Sequence, residues 1–253
     1  MSPVEVGTQV FRSPFAALAE EIVIPDVSYP QFLFQCIRKN MKVLQDRVAV
    51  VDAVRDQCLM FKEVEPLAKQ FASALTKKGF GKGEVFFYVT YNAALLYALQ
   101  LGVQLCGGAT RGCFQKEESG ELEKQMRETK SRFILCEPET AELVKMVSGR
   151  LGWPVILFSI DGAVEGATAV EEMAYEDDGS AYDGNVIIDP DEDVLFIAST
   201  SGSTGHPKGV LHTHRNMVAL LASAGAPIDL ERPVFSSESR RQIVPVGHQH
   251  FLV

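Results

Sequence analysis

The sequence predicts an α/β fold, a parallel-rich sheet with helices on both faces. Three observations predict it. From about Lys62 onwards, apolar runs of strand length alternate with helix-periodic stretches, the signature of parallel strands joined by crossover helices. The uncharged stretch Val85–Thr110 is interrupted by Thr90, Asn92, Gln100 and Gln104 and closed by glycines, so it reads as a buried strand and a buried helix and not as a membrane span. Finally, a loop of hydroxyls and glycines follows the apolar run Val194–Ala198 directly, and α/β sheets bind ligands outside the carboxyl ends of their strands.

The elements follow in order. Residues 1–30, with Pro3, Pro14, Pro25 and Pro30, form an irregular N-terminal segment. Gln31–Leu44 carries Phe32, Leu33, Cys36, Ile37, Met41 and Leu44 on one helical stripe. Val48–Val51 and Cys58–Phe61 flank the polar turn Asp52–Gln57, a hairpin pattern. In Lys62–Lys78 the residues Val64, Leu67, Ala68, Phe71, Ala72 and Leu75 recur at helical spacing, Pro66 is assigned to the first turn, and Gly79 closes the helix. A strand at Val85–Val89 leads to a helix over Ala93–Cys106 with Asn92 as N-cap. A short strand around Ala109–Arg111, a helix Gly120–Thr129 capped by Ser119, a strand Arg132–Cys136, a helix from Pro138 to about Val147 and a strand Val155–Ser159 come next. After the acidic segment come the strands Val194–Ala198 and Val210–His212, then a helix Arg215–Ala224 with Thr213 as N-cap and Gly225 as stop.

Composition excludes several classes. Residues 161–193 hold twelve Asp/Glu and no Lys/Arg, so the chain's net charge of −9 is local and the remainder is net +3. That segment reads as a solvated surface excursion. It repels nucleic acid, and no Lys/Arg cluster elsewhere supplies a phosphate-backbone footprint. Cys36, Cys58, Cys106, Cys113 and Cys136 are odd in number and form no C-x-x-C pair, which predicts buried free thiols in a reducing compartment. No basic-then-apolar leader opens the chain, and Phe251-Leu252-Val253 is no peroxisomal tripeptide. An intracellular, cytoplasmic location without transmembrane segments is expected. Cys106 and Cys113 have no histidine near them in sequence to act as a base. His212-x-His214 and His248-x-His250 have the spacing of paired ligands on a strand, but a metal would need a third ligand. The reading is therefore no metal site, with His214 at a helix start.

The loop Ser199–Gly209, STSGSTGHPKG, carries the chemistry. Its glycines allow close backbone approach, its hydroxyls donate hydrogen bonds, and its lysine supplies a compact positive charge, which together suit phosphate. It departs from the Walker A template twice: Pro207 replaces the second glycine, and Gly209 stands where Ser or Thr would hold magnesium.

The run Thr200–Val210, TSGSTGHPKGV, resembles the phosphate-binding signature of the acyl-adenylate-forming (AMP-binding) superfamily. Acyl-CoA synthetases, 4-coumarate–CoA ligases, luciferases and peptide-synthetase adenylation domains belong to it. Ser199 stands where an aromatic is commoner, and His206 occupies a variable position. The continuation HTHRNMVALL and the stretches Glu63–Val89 and Glu118–Cys136 are similar to the family too, so the likeness spans about residues 30–225 and lies nearer the CoA-ligase and luciferase branch.

The resemblance implies that residues 31–225 are part of the large N-terminal domain of an adenylate-forming enzyme. Such an enzyme joins a carboxylic acid, fatty or aromatic, to the α-phosphorus of ATP with Mg2+. It then transfers the acyl group from acyl-AMP to coenzyme A. By the same resemblance Thr200, Ser201, Ser203 and Thr204 donate hydroxyls, Gly202 and Gly205 give backbone access, and Lys208 is the catalytic counter-charge to the departing pyrophosphate. The family's Tyr/Phe-Gly-x-Thr-Glu run and the C-terminal domain with its adenylation lysine find no match after Val210. Residues 226–253 read as a divergent or truncated tail in which Pro245 and His248 match, loosely, a stretch beside the acyl pocket. The alternative expectation is a non-catalytic truncated paralogue that at most binds nucleotide.

Overall fold

The computed structural model describes residues 22–53, 55–91, 93–113, 116–200 and 208–224. The first helix, α1, runs from Tyr29 to Lys39, two residues earlier than the apolar stripe suggested. Ser28 Oγ accepts the Gln31 N–H at 3.4 Å, and Pro30 sits in the first turn, where its missing N–H costs nothing. Asn40 ends α1 by turning its side chain back onto Cys36 O at 2.9 Å, so Met41–Leu44 forms a separate short helix, α2. The predicted hairpin is present as β1 (Val48–Asp52) and β2 (Gln57–Met60), paired antiparallel.

Helix α3 spans Phe61–Lys77. A capping box starts it: Glu63 accepts the Met60 N–H at 2.8 Å. Pro66 falls inside the helix, beyond the first turn to which its missing N–H had been assigned. Burial holds the helix in place, since Val64, Phe71 and Leu75 are fully buried, each contributing about 1.5–3 kcal/mol.

The central sheet contains β3 (Val85–Val89), β4 (Ala109–Gly112), β5 (Phe133–Cys136), β6 (Ile156–Ser159), β7 (Ala167–Ala169), β8 (Val194–Thr200) and β9 (Lys208–Thr213). Their spatial order is β7-β6-β5-β3-β4-β8-β9. Every neighbouring pair is parallel except β8–β9, which is antiparallel. The sheet is parallel-rich, as expected, with one antiparallel strand at its edge.

Alternation along the strands builds two cores. Phe86, Phe133, Leu135 and Phe158 face α1, α3, α4 (Ala94–Leu105) and α7 (Val170–Tyr175). Phe87, Val89, Ile134 and Cys136 face α5 (Ser119–Glu128) and α6 (Ala141–Ser148). Helices therefore cover both faces, as expected. The final helix, α8, runs from His214 to Ala224 and packs against α1 and β9.

Several boundaries move. The N-cap of α4 is Ala93, while Asn92 lies outside the described residues, as does Gly225. Glu118 precedes α5, so Ser119 is its first residue and not its cap. Pro138 lies in a turn before α6. The acidic stretch is only partly the solvated excursion expected. It contributes β7 to the sheet edge and α7 to the first core, where Val170, Met173 and Ala174 are buried. Asp177 and Asp178 of the same stretch hold Lys77 at 2.9 and 2.8 Å.

Candidate functional site: the carboxyl edge of the sheet

Strand β8 brings the loop to the carboxyl edge, because it runs parallel to β4. The chain returns as β9 with Ser199 opposite Gly209 and Thr200 opposite Lys208. The stem of the predicted phosphate loop is thus a closed hairpin. Thr200 Oγ1 donates to Lys208 O at 3.4 Å, which turns that hydroxyl across the stem. Lys208 is exposed. Ser201, Gly202, Ser203, Thr204 and Gly205, with His206 and Pro207, lie outside the described residues, and so does His248. Gly209 is needed for close packing: a Cβ there would stand 3.0 Å from Ile197 Cγ2.

Beyond the stem, Phe196 and His212 stack at 4.3 Å between ring centroids, across β8 and β9. Thr213 caps α8 as predicted: its Oγ1 accepts the Asn216 N–H at 3.4 Å while Asn216 Oδ1 accepts the Thr213 N–H at 3.0 Å. His214 opens the helix and is fully buried. The two histidines therefore do not share a strand face. His214 Nδ1 accepts the Tyr29 N–H at 3.1 Å, and burial pushes the imidazole pKa down to about 4. Arg215 beside it donates to Pro25 O at 3.0 Å and pairs with Asp26 and with Asp191 at 2.9 Å.

The strand order points to a second place on the same edge. Strands β3 and β5 are neighbours, but the helix after β3 packs on one face and the helix after β5 on the other. Their carboxyl ends therefore open a crevice of the kind in which α/β folds bind ligands. Here the crevice is filled from within. Arg55, from the β1–β2 turn, reaches Asp52 at 3.0 Å, Asp161 at 2.6 Å and Glu137 at 3.6 Å. Glu137 Oε1 also accepts the Thr90 hydroxyl and the Tyr91 N–H, and Thr140 Oγ1 donates to Val89 O at 2.9 Å. Burial raises the Asp161 carboxyl above its usual range, against the pull of Arg55. Of these residues, Asp52 and Arg55 lie in the polar turn Asp52–Gln57 that the sequence marks without a role, and it gives no role to Glu137 or Asp161. The available signal was an Asp and an Arg in one turn beside a strand pair predicted to be buried.

Arg111 was passed over as well, although an arginine between Thr110 and Gly112 in a buried strand is itself a signal. It is 3% exposed, its Nη1 and Nη2 meet Glu128 Oε2 only at 3.4 Å, and its Nε has no partner among the described residues.

Burial pushes the thiols of Cys106 and Cys113 up, to about 11 and about 12, which opposes a nucleophilic role. Cys36 and Cys58 are exposed, contrary to the expectation that all five are buried. Among the described residues, no three His, Cys, Asp or Glu side chains are arranged to hold a metal ion, and no helix is long and apolar enough to cross a membrane.

Comparison with known proteins joins these features. Residues 37–252 match the model of the AMP-binding enzyme family. The 4-coumarate–CoA ligase-like 1 protein of Arabidopsis thaliana is 31% identical over 210 residues, covering 83% of this chain and 37% of that protein. The 4-coumarate–CoA ligase 3 of Oryza sativa is 28% identical over 222 residues, covering 85% of this chain and 38% of that protein. Among solved structures, a red-emitting luciferase from Phrixothrix hirtus superposes with a TM-score of 0.69 at 18% identity, over 82% of this chain and 40% of that one. A long-chain-fatty-acid-CoA ligase from Archaeoglobus fulgidus gives 0.68 at 22% identity, over 80% of this chain and 40% of that one. These structures share the fold, a mostly parallel sheet layered with helices. The chain spans 34–42% of the length of the curated relatives it matches. The family match, covering the strands, the hairpin and α8 together, places the chain in the AMP-binding enzyme family.

Proposed function

We propose that this chain takes part in ATP-dependent activation of a carboxylic acid to acyl-AMP, with transfer of the acyl group to coenzyme A. The observation that carries the reading is the β8–β9 hairpin. Its stem pairs Thr200 with Lys208 at the carboxyl edge of a mostly parallel sheet, and the residues that follow Thr200 and precede Lys208 in the sequence, 201–207, are rich in hydroxyls and glycines. Donors fixed by such a stem stabilise charge as it develops on departing pyrophosphate, without reorganising during the reaction. In this reading Ser201, Ser203, Thr204 and the backbone at Gly202 and Gly205 hold the phosphates, and Lys208 supplies the counter-charge. Thr200 closes the hairpin. The side chains present fit magnesium only as a companion of the nucleotide: no three of them are arranged to hold a metal ion among the described residues, and Mg2+ is commonly held through substrate phosphates. Residues 31–225 then form the nucleotide-binding part of the protein. The names of the relatives favour an aromatic or fatty acid as substrate.

The test is exchange of labelled pyrophosphate into ATP, dependent on added fatty or aromatic acid. Exchange is expected, with Lys208→Ala lowering its rate about 10²–10³-fold. ATP binding without exchange would leave the chain as a nucleotide-binding unit only, and the ligase reading would fall.

A further inference from the structure

On the α5 side of the hairpin lies an open pocket of about 490 Å³. Arg111, Lys124 and Lys208 line it together with a single carboxylate, Glu128. Arg111 rises into it from β4, in register with Ile197 of β8. The guanidinium packs beside Gly209: a Cβ there would lie at contact distance, 3.7 Å, from Arg111 Nη1. Two facts mark the site as unbalanced. Three cations face one anion, and the buried Arg111 has no partner for its Nε among the described residues while holding Glu128 at the outer limit of hydrogen-bond length. A buried donor left unmade is costly, so an arginine in this state is poised for an acceptor. Lys124 is also not fully engaged, since its one ion pair among the described residues, to Glu121, is 3.6 Å long and its side chain is 44% exposed.

We propose that this pocket is an anion site for pyrophosphate, placed at the foot of the loop that releases it. Its ligand rests on the function proposed above, but its chemistry does not. A planar guanidinium and two ammonium groups match a phosphate-class anion, and Lys208 belongs both to the loop stem and to the pocket rim. Released pyrophosphate would be retained at Arg111 and Lys124, beside the stem residue Lys208.

Calorimetric titration of the 253-residue chain with pyrophosphate, and separately with inorganic phosphate at matched ionic strength, tests this. Pyrophosphate is expected to bind, and more tightly than phosphate. Arg111→Met is expected to weaken binding about ten-fold or more, and Lys124→Met, at the exposed rim where folding is not at risk, about three-fold. Ser203→Ala with Thr204→Ala reports separately on the loop, whose own grip on the phosphates those hydroxyls supply. No pyrophosphate binding, phosphate binding as tight as pyrophosphate, or unchanged binding in Lys124→Met overturns the site. Binding lost only in the loop variant also overturns it, and leaves the ligase reading standing. Pocket binding without acid-dependent exchange does the reverse.

Discussion

His214 shows how one buried side chain couples stability to pH. Its folded pKa of about 4 lies below the ordinary 6.5 because burial penalises the imidazolium, with a smaller opposing pull from Asp193 and a push from Lys82. Nδ1 accepts the Tyr29 N–H, so the neutral ring is the form that fits. As pH falls from 6.5 to 4 the unfolded chain binds the proton first. The stability contributed is complete above pH 6.5 and is lost through that window, by at most about 1.4 kcal/mol per pH unit. Urea midpoints at about pH 7 and about pH 5 should therefore differ less in His214→Gln, which keeps an acceptor for Tyr29 but does not titrate. An equal difference in both proteins would refute this. Arg55 makes the converse case. Replacing it with Met leaves Asp52, Glu137 and Asp161 packed together without their cation, at an expected cost of about 3–5 kcal/mol at neutral pH. The cost should shrink in acid, where Asp161, its pKa raised by burial, takes a proton early. Denaturant melts of the variant across pH check both statements. Neither role was legible in the sequence, because each depends on partners brought together from afar; Tyr29 and His214 are 185 residues apart.

At the scale of elements, α3 and α4 show what periodicity reveals and what it hides. The apolar stripe of α3 marked its buried face correctly, since Val64, Leu67, Ala68, Phe71, Ala72 and Leu75 are all in the first core. Gly102 in α4 gave no such signal. A Cβ there would lie 2.6 Å from Phe71 Cβ and 2.9 Å from Ala68 O, so this glycine sets how closely the two helices approach. Gly102→Val should destabilise the chain by about 1–3 kcal/mol or more through overpacking, despite replacing a poor helix former. A thermal melt at or above the parent value would contradict that contact. Boundaries were less legible than faces because single side chains set them: Asn40 breaks a helix that the stripe carries through, and Glu118, not Ser119, precedes α5. The short β7 and α7 were missed because acidic residues dominate their stretch while only Val170, Met173 and Ala174 turn inward.

At the scale of the molecule, alternating elements gave the α/β class, but the strand order could not be read from them. Placing β5 beside β3 and β8 beyond β4 requires knowing which faces the helices cover, and that emerges only from packing both cores at once. The same limit hid the crevice between β3 and β5 and its internal seal. The loop motif was legible because its chemistry is local; its mounting was not. Neither hydrophobic core draws a residue from β8, β9 or α8. Strand β8 meets the parallel sheet through only two paired positions, Thr110 with Phe196 and Arg111 with Ile197. The hairpin stem is in this sense a cantilever, clamped at its base along a short line. A load on Thr200 and Lys208 is carried back to the line where β8 meets β4. Small rotations about that line would carry this pair together, while the two cores behind it keep their packing.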